Sequence, residues 1–104
     1  MASGMPEQIK AYLEKLLADK GIKGISPELA ADMVESLYKR LQAYLFTDLT
    51  KNISAAQAKE LNQKMEQGLL SEEQALEWLT GRVKNINEIL AKSMIEFRDI
   101  YLRA

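Results

Sequence analysis

Apolar residues recur at helical spacing along almost the whole chain, and the widest stripe lies between Ser26 and Lys51. Plotted at about 100° per residue, Ala30, Met33, Val34, Leu37, Tyr38, Leu41, Tyr44, Leu45 and Leu49 share one broad face. Asp32, Glu35, Ser36, Lys39 and Ala43 fall opposite. Ser26-Pro27-Glu28 opens the stretch with a capping hydroxyl, then a proline at the first helical position, where no bonded amide is lost. So wide a stripe has to touch several elements at once, which predicts a central helix over about 27–50. Its end is expected between Thr47 and Lys51, because Thr-Asp-Leu-Thr-Lys-Asn is a poor helical run.

Shorter stripes flank it. Ile9, Tyr12, Leu13, Leu16 and Leu17 follow Pro6 at the spacing of a first helix, which Gly21 ends in the left-handed conformation with Ile22 folded back on Leu17. Ser54-Ala-Ala-Gln57 and Ser71-Glu-Glu-Gln74 both read as capping boxes, each preceded by an apolar residue, Ile53 or Leu70, that can staple the incoming chain. The first launches a weakly amphipathic helix over about 55–67 (Ala58, Leu61, Met65) that Gly68 stops. The second launches Ala75, Leu76, Leu79 and Val83. Asn85-Ile-Asn-Glu88 is a third such box, and Gly81 weakens the turn before it by about 1 kcal/mol relative to alanine. A break or sharp kink is therefore expected between Gly81 and Asn87. The last segment then presents Ile86, Leu90, Met94, Phe97 and Tyr101 on one face. The prediction is an all-α bundle of four to five helices around the long central helix.

These features together, Gly21-Ile22, Ile25-Ser-Pro-Glu28, Ile53-Ser-x-x-Gln57, Ala75-x-Glu-Trp-Leu79 and Asn85-Ile-Asn-Glu-Ile89, resemble a family of short helical domains of unknown function. Its members are seen mostly in ultra-small, host-dependent candidate-phylum bacteria, and the likeness spans about Glu7 to Phe97. Members often carry a proline before the asparagine, where this chain has Lys84. The resemblance implies the bundle and a bacterial source, and no catalytic residue to carry over.

Composition narrows the function. With 47% hydrophobic and 28% charged residues the 104-residue chain is a folding sequence with enough material for one core. Met1-Ala2-Ser3-Gly4 reads as an added leader ahead of Met5 as the natural start; residues 1–5 are set aside and 6–104 taken as a single helical domain. Fourteen basic against fifteen acidic residues give a net charge of −1, which offers no bulk field for phosphates or an anionic membrane. No cysteine or histidine is present, so thiol and imidazole catalysis and ordinary zinc or haem ligation are excluded, and no cofactor or metal is expected. No apolar run approaches the roughly 18 residues of a membrane span and no signal peptide is evident, so a cytoplasmic location is expected.

Little chemistry remains. Glu72, Glu73 and Glu77 occupy the first turns of a helix, where negative charge suits the macrodipole. Asp48 would interrupt the apolar stripe if the central helix ran through it. The expectation is that the helix frays before it and the carboxylate bonds a nearby amide such as that of Thr50. An enzyme built on Asp48 is the weakest reading. A small nucleic-acid-associated regulator is the alternative, suggested only by Lys39-Arg40 and Gly81-Arg82-x-Lys84; nucleic acid is not expected as a partner. Met5, Met33, Met65 and Met94 are taken as core filler. Four apolar residues stand off the stripes. Phe46 projects about 140° from Leu41, Trp78 about 100° from the line of Leu79 and Val83, and Ile95 and Leu102 about 120–140° from Leu90. They are the candidate interface of a non-catalytic protein–protein interaction module that forms a homodimer and binds a further, unidentified protein.

Overall fold

Local bonds define where each helix begins. The Ser26 hydroxyl accepts from the Leu29 amide at 3.1 Å, and Ser54 and Ser71 each form the full reciprocal box with Gln57 and Gln74. The computed structural model describes residues 5–103, so the leader expected at Met1–Gly4 lies outside the described residues. Five helices occur among them: α1 (Glu7–Asp19), α2 (Pro27–Thr50), α3 (Ala55–Glu66), α4 (Glu72–Thr80) and α5 (Ile86–Arg103). Gly21 (φ 84°) closes α1 as expected, with its own amide on the Ala18 carbonyl and the Ile22 amide on the Leu17 carbonyl. Gly68 closes α3 in the same way.

At 24 residues α2 spans about 36 Å, most of the 48 Å long dimension of the molecule. No neighbouring helix is that long, so its apolar face is covered in two portions. Val34, Leu37, Leu41 and Leu45 pack with Leu13, Leu16 and Leu17 of α1 and Phe97 of α5. Leu49 packs with Leu61 of α3, Ala75 and Leu79 of α4, and Val83. Leu76 and Leu90 touch both clusters and tie the two halves together. Burying one such leucine contributes about 1.5–3 kcal/mol. All four methionines read as filler are packed on these clusters.

Two expectations are corrected. The central helix ends within the expected window, but it does not fray before Asp48: it continues to Thr50. Burial of Leu45 and Leu49 on its inner face outweighs the weak propensity of the run. The last carbonyls are used by side chains, since Thr50 Oγ1 donates to the Thr47 carbonyl at 2.8 Å and Asn52 Nδ2 to that of Asp48 at 2.8 Å. The break between α4 and α5 occurs where expected, for a different reason. Asn85 lies in the left-handed region (φ 57°), not in the extended conformation of Ser26, Ser54 and Ser71, so it turns the chain before α5. Asparagine tolerates that region better than most residues.

Candidate interaction surfaces

α5 is held in register by polar bonds on both of its inner flanks. Toward α2, Tyr44 donates to Glu96 Oε1 at 3.2 Å and Ser93 Oγ donates to Asp48 Oδ2 at 2.7 Å. Toward α1, Tyr12 donates to the Met94 carbonyl, Lys20 Nζ to the Tyr101 carbonyl at 3.0 Å, and Arg98 to Asp19 at 3.3 Å. Burial raises the phenol pKa of Tyr44 above its ordinary value, with the hydrogen bond to Glu96 and the nearby charges of Glu96 and Asp48 acting in the same direction. Tyr12 is raised by burial too. Asp48 therefore does not bond the Thr50 amide as expected. One carboxylate oxygen takes the Ser93 hydroxyl, and the other lies 3.9 Å from Lys51 Nζ.

The four candidate interface residues separate into two kinds. Phe46 and Trp78 are half-buried and both pack on the cluster around Leu49, so the monomer already uses much of their surface. Arg82 covers Trp78 as well: its guanidinium carbon lies 4.0 Å from the ring centroid, and Nη1 donates to the Trp78 carbonyl at 3.1 Å. Ile95 points outward and is 63% exposed, while Leu102, two turns on, is half-buried. Ile100 (52%) was missed in the sequence because it sits on the margin of the Phe97 face; Leu69 and Leu29 are exposed elsewhere.

A second surface has no counterpart in the sequence reading. Between α1 and α2 runs a groove of about 680 Å3 with an apolar floor that includes Leu17, Ala18, Ile22, Ala30 and Val34. Glu7 and Glu14 of α1 and Glu35 of α2 edge it, with Lys10 between the first two. The spacing of Glu7 and Glu14 was a legible signal, since residues seven apart share a helix face; the pairing of α1 with α2 was not.

Among the described residues no three acidic side chains converge as a metal-binding group, and no helix is long and apolar enough to cross a membrane. No curated protein and no solved structure matches the chain. A family model does match, over residues 16–101, from the last turn of α1 almost to the end of α5. Helices α2, α3 and α4, most of α5 and the end of α1 fall inside that span, as do the caps at Ser26, Ser54 and Ser71, and the chain belongs to the family described as protein of unknown function, DUF5663.

Proposed function

We propose that this protein is a non-catalytic helical interaction module of the cytoplasm that associates weakly with copies of itself, a homodimer being the first assembly, and offers a helical surface to another protein. The observation that carries this reading is the outer face of α5, where Ile95 is 63% exposed beside the half-buried Leu102. Covering each such side chain contributes roughly 1.5–3 kcal/mol, against an association cost of about 4–15 kcal/mol, so the dissociation constant is expected near micromolar. The non-catalytic part rests on the absence of histidine and cysteine and on the structural bonds that occupy Asp48.

Light scattering over a dilution series tests the proposal. The expected result is a mass rising above the 11.8 kDa monomer at micromolar concentration, and a return to monomer in Ile95→Glu. A monomer mass persisting above about 100 micromolar overturns it.

A further inference from the structure

Resting on that self-association, we infer that the α1–α2 groove of one copy receives the outer face of α5 from another. The groove calls for a helix of particular chemistry. Its apolar floor needs an apolar ridge, and Ala18 and Ala30 leave room for a helix to approach closely. Its edges carry three carboxylates (Glu7, Glu14, Glu35) against one ammonium (Lys10), a balance of −2 that favours basic flanks.

α5 has that chemistry. Ile95 and Leu102, seven residues apart, form the ridge, with Ala91 exposed on the same line. Lys92 and Arg103 are exposed roughly 60–80° to one side of Ile95. Asp99 also lies on this face, 3.9 Å from Arg98, whose nearer partner is Asp19 at 3.3 Å, and Glu88 lies two turns before Ile95 at the far end of the ridge, so the basic character is confined to the flank formed by Lys92 and Arg103.

One copy cannot fill its own groove. Tyr12 and Asp19, the α1 residues bonded to α5, lie about 140° around the helix from Glu7 and Glu14, which edge the groove. The contact joins unlike surfaces of two molecules. A pair joined through one such contact leaves one groove and one ridge open, so assembly either closes reciprocally as a two-fold homodimer or continues to a ring or a chain.

The test uses the full chain in sedimentation equilibrium, with Glu14→Lys/Glu35→Lys to reverse the groove edge and Ile95→Glu to remove the ridge. All three sites lie outside the buried core, and circular dichroism checks that each variant folds. Each variant alone is expected to self-associate at least roughly tenfold more weakly than wild type. Mixed in equal amounts, they are expected to form a one-to-one pair that grows no further, because only one intact groove and one intact ridge remain between them. If wild type associates and the groove variant associates equally well, or the mixture fails to pair, the inference is overturned while self-association stands. If wild type is monomeric throughout, both fall.

Discussion

The Ser93 hydroxyl donates to the Asp48 carboxylate at 2.7 Å across the α2–α5 contact, and Ser93 is only 2% exposed. A buried hydroxyl beside a partly covered carboxylate is stable only while each satisfies the other. Asp48→Ala leaves the Ser93 hydroxyl without its partner and is expected to lower stability by about 1–3 kcal/mol. Ser93→Ala should cost about 1–2 kcal/mol, since Asp48 keeps Lys51 and some contact with solvent. Adding the second substitution to the first should cost less than it does alone, because the bond is already lost. Urea unfolding of the two single variants and the double variant measures this, and strict additivity would show that the bond contributes nothing.

Two glycines should respond with opposite signs. At Gly21 a Cβ meets nothing within 4 Å, but φ is 84°, so Gly21→Ala carries a backbone penalty of about 1–2 kcal/mol. Gly21→Asn should recover part of it. Gly81 has φ −82°, and an added Cβ would lie 3.7 Å from the Trp78 carbonyl oxygen, an ordinary contact. Gly81→Ala is therefore expected to stabilise by about 0.4–1 kcal/mol through the unfolded state. Thermal melts of the three variants decide it.

Alkaline pH should unfold the protein through its tyrosines. Tyr12, Tyr38 and Tyr44 all have phenol pKa values raised above 10.0, each chiefly by burial. A raised folded pKa means that the unfolded chain loses the proton first. The contribution is fully present below about pH 10, the unfolded value, and is lost as pH rises through the folded values. Tyr44→Phe should flatten the fall in stability above that pH while leaving the neutral range nearly level in slope. Urea midpoints from pH 7 to 11 measure it; an unchanged alkaline limb counts against Tyr44 as a contributor.

Trp78, the chain's one tryptophan, reports on Arg82. The guanidinium over its face excludes water and adds about 0.5–1 kcal/mol. Arg82→Ala should shift the emission of Trp78 to the red and increase its quenching by acrylamide, with a stability loss of that size. Emission identical to wild type would mean that the stacked arrangement is not populated in solution.

Much of this architecture was legible before any fold was known, and Ser54, Ser71 and Gly21 show why. A cap bond joins residues three to five apart, so the information sits inside one short window and no distant neighbour is needed to read it. The same holds for the apolar face of α2, whose periodicity alone separates buried Leu37, Leu41 and Leu45 from exposed Asp32, Ser36 and Lys39.

Asp48, Asn85, Phe46 and the α1–α2 groove were decided by tertiary structure. Asp48 stays helical because distant side chains bury Leu49 and because Ser93, 45 residues away in sequence, supplies a hydroxyl. Asn85 becomes a left-handed turn rather than an extended cap, a choice among backbone states that the local motif leaves open. Phe46 finds cover in the cluster around Leu49, a contact no helical wheel contains. The groove exists only because α1 lies beside α2 while α5 takes another side of α1, which aligns Glu7 and Glu14 with Glu35. The chain by itself determined what depends on neighbours within one helical turn; the packed helices decided which polar groups met and which apolar residues stayed exposed, because those energies arise between segments remote in sequence.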